Sequence, residues 1–518
     1  MWVFSASGCR WLGAGGSLAV AVGGWFAGTL PVRGGWGLWE RHGSAPTVAG
    51  ALLAYLGLTL LVAAWWRYGV LLGREARGGA APGRGAEGGS PEARGAEARG
   101  ARGGNGKAVR DGSSEARGAR GGVLATLVCW TVPLLLAPPL YSADVYSYVA
   151  QGAMVLEGHD VYGAGPSVLA PGDLGAEAAA SVGGHWTDTP APYGPAFLLL
   201  AAAVVKLTGG AVVPAVLGMR LIALGALALA VWAVRGLGGG PGGRAGALWL
   251  AVLNPLFLIH VVGGTHNDGL MIGLVLGGVL LATRGRWVLG SVLVGFAVMV
   301  KSPAAVALLF IGVMVARRDG GGARGLAKGL VLPGAVAGAV AAGATLLAGT
   351  GFGWLRTQSV AGTIHTALSV TSDLGLGLGL LLADDPDPVK DLVQKLGLAA
   401  ALVLIAVLAW RSWRGLLDPV LGLGLSLVAL VALSPMVQPW YLLWGTAVVA
   451  SVAWYGRAGQ VLAVLSAALV YETAPSGRTP WYGFAAAAAV AALGLLWARR
   501  EPWRTGAAQD AGPVRAGR

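Results

Sequence analysis

Charge is scarce in this chain. Only 12% of its 518 residues are Asp, Glu, Lys or Arg, against about 25% in soluble globular proteins. That shortage excludes an ordinary water-soluble domain. Cysteine is nearly missing too. Cys9 and Cys129 lie beside or within apolar runs and spell neither a disulfide framework nor a metal spacing. No P-loop, dinucleotide fingerprint, zinc motif or nucleophile elbow stands in a supporting context. A soluble nucleotide-binding domain is therefore excluded, and with it an enzyme fed by cytoplasmic nucleotide sugars. The N-terminus, MWVFSASGCR, lacks a clear basic n-region and a small-residue cleavage site, so the first apolar segment is expected to remain as a helix.

What the chain has in quantity is apolar length. Hydrophobic residues make up 55% of it, and its mean hydropathy is +0.66. Roughly 14 segments, from 11–30 to 481–499, approach the ~20 residues that span a bilayer. The fold class expected is an all-α polytopic membrane protein. The net charge of +13, 37 basic against 24 acidic residues, fits the excess of Lys and Arg on cytoplasmic loops and calls for no nucleic-acid partner. Residues 73–121 form a Gly/Ala/Arg-rich insert too poor in apolar side chains to offset the entropy of ordering, and are expected to be a disordered cytoplasmic segment. It follows N-terminal helices within 1–72. A core is expected over 122–388, C-terminal helices over 389–499, and a cytoplasmic tail over 500–518.

With the insert inside, charge parity gives an orientation. Residues 141–205 then lie outside, with six acids and no Lys or Arg, within an outer loop spanning 141–211. Arg317, Arg318, Arg411, Arg414, Arg457, Arg499 and Arg500 fall inside, as the positive-inside rule asks. The register requires 195–208 to lie along the outer interface without crossing. The unusual polar residues then collect at the outer face: Asp144, His185, Asp188, His266, Asn267, Asp268, Lys301, His365, Gln438 and Glu472.

Several short stretches carry the chemistry. YSADVYSYVAQG places Asp144 just beyond an apolar run, beside Tyr146 and Tyr148. HWTDTPAPYGP is a rigid, proline-bound path with Asp188 as a second candidate carboxylate and Tyr193 beside its closing Gly-Pro. In LNPLFLIHVVGGTHND, Asn254-Pro255 breaks a helix whose freed backbone groups need a local partner. The polar run His266, Asn267 and Asp268 follows between two spans, where polar residues tend to be functional. Lys301 in VMVKSP is a natural phosphate partner. LSPMVQPWYLLW offers Gln438 and Trp440, whose ring suits stacking on a sugar. Arg356 stands on the outer side against the positive-inside trend, as a candidate for an anionic headgroup. His42, His159 and His260 have no metal spacing and read as structural.

In this order, DVYSY.AQG, PAPYGP, NPL…HVVGGTHND, K.P and LSP.VQPWYLLW, the motifs resemble the polyprenol-phosphate-mannose-dependent α-1,6-mannosyltransferases of actinobacteria. These are integral-membrane glycosyltransferases of the GT-C class. The match runs over roughly 122–460 and gives no counterpart for the insert. It departs at Gln438, where the family pattern leads one to expect histidine. The resemblance implies a GT-C-type bundle whose first large outer loop is catalytic. It implies a polyprenyl phosphomannose donor lipid, a mannan or lipomannan-type acceptor outside the cell membrane, and transfer with inversion. It makes Asp144 the general base. Tyr146, Tyr148, Asp188, Tyr193, His266, Asn267, Asp268, Lys301, Arg356, Gln438 and Trp440 become donor- or acceptor-binding residues. No cofactor is certain. Some GT-C enzymes use a divalent cation held by paired acids, and Asp144 with Asp188 or Asp268 is the pair that would hold one here.

Two readings from other classes compete. A polytopic transporter or lipid-linked sugar flippase suits broken helices, although the polar residues gather at one face and no inverted repeat is visible. A membrane scaffold would put the insert to work. Within enzymes, a GT-C transferase for another sugar or acceptor is the alternative.

Overall fold

The computed structural model describes residues 5–78, 121–238 and 243–500. The described residues form helices and connecting loops, with no strand among them. Helices α1 (Ala6–Ala27) and α2 (Ser44–Gly78) open the chain. After them come α3 (Gly121–Leu135), α4 (Asp144–Leu156), α5 (Pro195–Thr208), α6 (Val212–Leu237), α7 (Gly243–Ala251) and α8 (Pro255–Gly263). The middle of the chain builds α9 (Asp268–Thr283), α10 (Trp287–Val298), α11 (Val306–Arg318), α12 (Ala323–Ala348) and α13 (Val370–Leu382). It closes with α14 (Asp387–Trp413), α15 (Pro419–Ala432), α16 (Pro439–Ala453), α17 (Arg457–Leu469) and α18 (Trp481–Arg500). This is a polytopic membrane bundle of GT-C type.

Among the described residues, five helices are long and apolar enough to cross a membrane: α2, α6, α12, α14 and α18. The pair α7–α8, bent by 46°, makes a sixth if counted as one span. Other apolar helices, of 10–17 residues, correspond to most of the remaining segments read from the sequence. Helix α1 is 22 residues long, but its glycines, serines and Arg10 leave it outside the apolar set. Two boundaries differ from expectation. Helix α2 continues to Gly78, into what was read as the insert; the rest of that insert, 79–120, and the tail 501–518 lie outside the described residues. Helix α13, beyond the Arg356 loop, lies where no spanning segment was expected. Its TSDLGLGLGLLL run is glycine-broken and short, which hid it from a search for 20-residue spans.

Local chemistry sets the breaks that shape the site. Asn254 accepts the N–H of Leu256 on its side-chain oxygen and so caps α8, whose first residue is Pro255. Its Nδ2 donates to the Leu250 carbonyl at 3.1 Å and to Ser466 Oγ at 2.9 Å. The broken span thus finds the local partners its sequence requires, and α8 runs on as a single π-type turn, Leu258–Gly263. Helix α5 starts on Pro195 and stops at Gly209, which takes the left-handed conformation.

Close packing joins the elements. Trp65 of α2 and Trp249 of α7 stack at 4.6 Å, and each indole N–H donates to the other's backbone carbonyl at 2.9 and 2.8 Å. Between α1 and α2 the backbones nearly touch. A Cβ at Gly57 would lie 2.5 Å from the Gly16 carbonyl oxygen, the kind of small-residue seam that membrane helices use. Gly57→Val is therefore expected to lower the melting temperature and the folded yield, with an overpacking cost of about 1–3 kcal/mol. Gly15→Ala, which meets nothing within 4 Å, should leave both unchanged. Thermal unfolding in detergent compares them.

Candidate active site

Asp144 opens α4 at the end of the loop after α3. Ser142 Oγ accepts the Asp144 backbone N–H at 3.1 Å, and the carboxylate at the helix start complements the dipole. The loop before α9 comes against it from the other side. His266 Nδ1 lies 3.3 Å from Asp144 Oδ2, and the His266 side chain is fully buried. Its imidazole stacks on the Trp440 indole with centroids 3.9 Å apart.

A second ion pair stands beside the first. Asp268, the first residue of α9, is fully buried. Its Oδ2 meets Lys301 Nζ at 2.8 Å, and its Oδ1 accepts the Trp444 indole N–H at 2.7 Å. The Lys301 ammonium lies 4.8 Å from the Tyr441 ring centroid and 5.9 Å from that of Tyr193. Tyr148 contacts Tyr193 and Phe197 edge-on at 5.3 and 5.0 Å. The Tyr148 hydroxyl accepts the Asn267 backbone N–H at 3.5 Å.

These residues surround a cavity of about 420 Å³, within the range of small-molecule sites. Asp144, Tyr193, Lys301, Gln438 and Trp440 all line it. Its apolar lining comes from Val306 of α11, Leu398, Leu402 and Ile405 of α14, and Leu430 of α15. Trp186, Pro192, Thr357 and Gln358 also line it. Gln358 Nε2 donates to the carbonyls of Trp354 at 2.8 Å and Pro192 at 3.5 Å, tying the two loops together.

The break at Ser434-Pro435, which sets Gln438 and Trp440 in place, is satisfied from the unexpected helix α13. Ser369 and Thr371 donate to the Ser434 carbonyl at 2.8 and 3.1 Å, and Ser372 donates to that of Pro435 at 2.6 Å. Freed carbonyls inside a membrane protein need such partners.

The structure thus brings Asp144, Tyr148, Tyr193, His266, Asn267, Asp268, Lys301, Gln438 and Trp440 together. It does not bring in three others. The Tyr146 hydroxyl turns away to donate to the Thr29 carbonyl at 2.6 Å. Asp188 and Arg356 are exposed and do not line the cavity. His260, read as structural, is buried 4.9 Å from the Trp440 ring, beside the site. Sequence reasoning missed Trp186 and Gln358. The first sat unremarked in HWTD, and the second gives no signal, since only folding brings it to Pro192. His159, also read as structural, lies away from the site. Its ring nitrogen shares a 4.8 Å cluster with oxygens of Glu157 and Asp173, away from the cavity.

Burial pushes the Asp144 carboxyl up, but the contact with His266, the Lys301 charge and Ser142 pull it down further, and it ends below its ordinary value. Burial raises the Tyr148 and Tyr193 phenols well above theirs, so both stay neutral hydrogen-bonding groups.

Comparison with known proteins decides the family. Residues 10–317 match the profile described as "Alpha-(1->6)-mannopyranosyltransferase, N-terminal domain". The chain belongs to this family. Residues 365–500 match the MptB C-terminal domain. A protein of Mycolicibacterium smegmatis named "Probable alpha-(1->6)-mannopyranosyltransferase" is 37% identical over 424 residues, 73% of this chain and 75% of its own. "Alpha-(1->6)-mannopyranosyltransferase A" of Mycobacterium tuberculosis is 37% identical over 409 residues, 75% and 77% of the two chains. "Alpha-(1->6)-mannopyranosyltransferase B" of Corynebacterium glutamicum is 32% identical over 377 residues, 67% and 61% of the two. No solved structure matches the chain. The mannosyltransferase is thus a membrane enzyme with sugar donor and acceptor substrates, and membership of this family displaces the transporter, flippase and scaffold readings.

A divalent cation held by paired acids does not fit the site. Both oxygens of Asp268 are committed, to Lys301 and Trp444, and a cation there would sit against the Lys301 ammonium. Asp188 stands outside the cavity lining. Asp144 alone, already facing His266, is one ligand and not a pair.

Proposed function

We propose that the enzyme transfers mannose from a polyprenyl phosphomannose to an α-1,6-mannan or lipomannan-type acceptor on the extracytoplasmic side, with inversion. Asp144 is the general base. It takes the proton of the acceptor hydroxyl as that oxygen bonds to the anomeric carbon, and the phosphate leaves from the opposite face with the bonding electron pair. Lys301 stabilises the departing phosphate. The observation that carries this reading is one cavity faced by the Asp144 carboxylate, the Lys301 ammonium and the apolar wall of α11, α14 and α15. A lipid-linked sugar phosphate needs all three. Leu398 and Leu402 are 43% and 57% exposed, so the wall continues onto the surface of α14 where a prenyl chain can lie. Trp186 and Gln358, aromatic and polar members of the same lining, suit a sugar acceptor. The arginine-rich ends of α11 and α14 support placing the site at the opposite, extracytoplasmic face.

The test is transfer of label from mannosyl phosphopolyprenol to a short α-mannoside by purified enzyme, with no transfer in membranes lacking it. Absence of transfer by folded enzyme, or transfer of another sugar in its place, overturns the donor.

A pH dependence follows. Asp144 must be ionised to act, and its lowered pKa keeps it so below the ordinary carboxylate range; activity is lost only as pH falls through that depressed value. His266→Gln removes the largest lowering influence and leaves burial opposed only by Lys301 and Ser142. The acid limb of kcat/KM is expected to move to higher pH. An unmoved limb in folded His266→Gln enzyme would show that the pair does not set the base.

A further inference from the structure

Arg220 sits in the middle of the apolar helix α6, is 2% exposed, and lines no part of the cavity. Its hydrogen bonds all go to backbone carbonyls, and they come from two separate segments. Nη1 donates to Leu135 and to Ala137, both at 2.7 Å. Nε donates to Val262 and Nη2 to Gly263, both at 3.1 Å. The first pair belongs to the end of α3, seven residues before Asp144. The second belongs to the end of α8, three residues before His266.

The two segments also touch directly. The Leu140 N–H donates to the Gly263 carbonyl at 3.3 Å. A Cβ at Gly264 would lie 2.8 Å from the Leu140 carbonyl oxygen and 2.9 Å from that of His260. Beyond this seam each loop turns through one left-handed residue, Tyr141 at φ 62° and Thr265 at φ 59°. Such sparsely populated conformations hold only where the surroundings fix them. A buried cation that merely plugged one helix end would need one of these carbonyl pairs. The planar guanidinium fork holds both at a fixed separation, which the compact ammonium of lysine does not reproduce.

We propose that Arg220 is a positioning residue, clamping the α3–α4 and α8–α9 loops together so that Asp144 and His266 meet across the seam. This rests on the reading of Asp144 as the base. It acts through those two side chains and touches no substrate.

The experiment compares Arg220→Lys and Gly264→Ala with wild type and with Asp144→Asn. Folded enzyme is quantified by size exclusion and thermal unfolding, and rates are given per folded molecule. Arg220→Lys keeps the charge and loses the fork. Gly264→Ala keeps the arginine and wedges the same seam, with a backbone at φ −83° that alanine adopts freely. Each is expected to lower kcat at least tenfold, leave KM for the donor within about threefold, and move the acid limb of kcat/KM to higher pH, as His266→Gln does. Wild-type kcat and an unmoved limb in either folded variant overturn the clamp. So does a loss of folded yield with kcat per folded molecule unchanged, since that is a purely structural role. If Arg220→Lys does not fold, Arg220→Gln, which keeps a hydrogen-bonding end and loses the fork, decides, because the Gly264→Ala methyl would also lie 3.1 Å from His266 Cδ2. Asp144→Asn separates the two failures: if it transfers like wild type, the base assignment falls and the clamp with it; if it is inactive while the seam variants behave as wild type, only the clamp falls.

Discussion

Asp144→Asn is expected to retain its fold and its affinity for the donor while losing kcat by about 10²–10⁴-fold, the usual share of a positioned general base. The substitution is nearly isosteric. The Ser142 contact to the Asp144 backbone N–H is untouched, and the side chain is 16% exposed at the cavity wall, so the amide has room and some water. What it loses is the ability to accept a proton. The site offers no ready substitute. Tyr148 and Tyr193 are held neutral by burial, and both oxygens of Asp268 are occupied. Initial rates against donor concentration, at matched folded enzyme, separate kcat from KM. A variant within a few-fold of wild type in kcat would remove Asp144 as the base.

Much of this site was legible in the sequence because polar residues at membrane depth are costly and therefore informative. Asp144, His266, Asp268 and Lys301 each stood at the end of or between apolar runs, and each arrived at the cavity or one contact from it. The break at Asn254-Pro255 was legible for a similar reason: proline frees backbone groups, and the asparagine beside it is there to satisfy them. Pairings were not legible. Nothing in the spacing says that Asp268 takes Lys301 while Asp144 takes His266, because both choices depend on how α4, α9 and the Lys301 turn face one another. Tyr146 and Tyr148 are two residues apart, and which one points inward depends on the rotation of α4; only Tyr148 does. The apolar wall was hidden because a leucine facing a cavity reads the same in sequence as one facing the membrane. Helix α13 was hidden because its work is done by hydroxyls, whose partners are backbone carbonyls that carry no sequence mark.

Lys301→Met is expected to fail twice, and a second substitution can separate the failures. Asp268 is fully buried and Lys301 only 12% exposed. Removing the lysine strands a carboxylate that keeps the Trp444 N–H as its one partner. Breaking a buried pair from one side costs about 3–5 kcal/mol, enough to deplete the folded protein. Lys301→Met/Asp268→Asn removes both charges, and the asparagine oxygen can still accept from Trp444, so the double variant should recover folded yield. It should not recover transfer. If the ammonium stabilises the leaving phosphate, its loss costs about 10²–10³ in kcat, the scale of removing one electrostatic donor from an active site, whatever the state of Asp268. Lys301→Arg keeps the charge and the pair and should retain part of the rate. Thermal unfolding and single-turnover transfer together decide the matter. A folded double variant with a near wild-type rate would mean that Lys301 exists only to neutralise Asp268. A folded but slow one assigns the ammonium to the phosphate, with Asp268 serving to hold it over Tyr441.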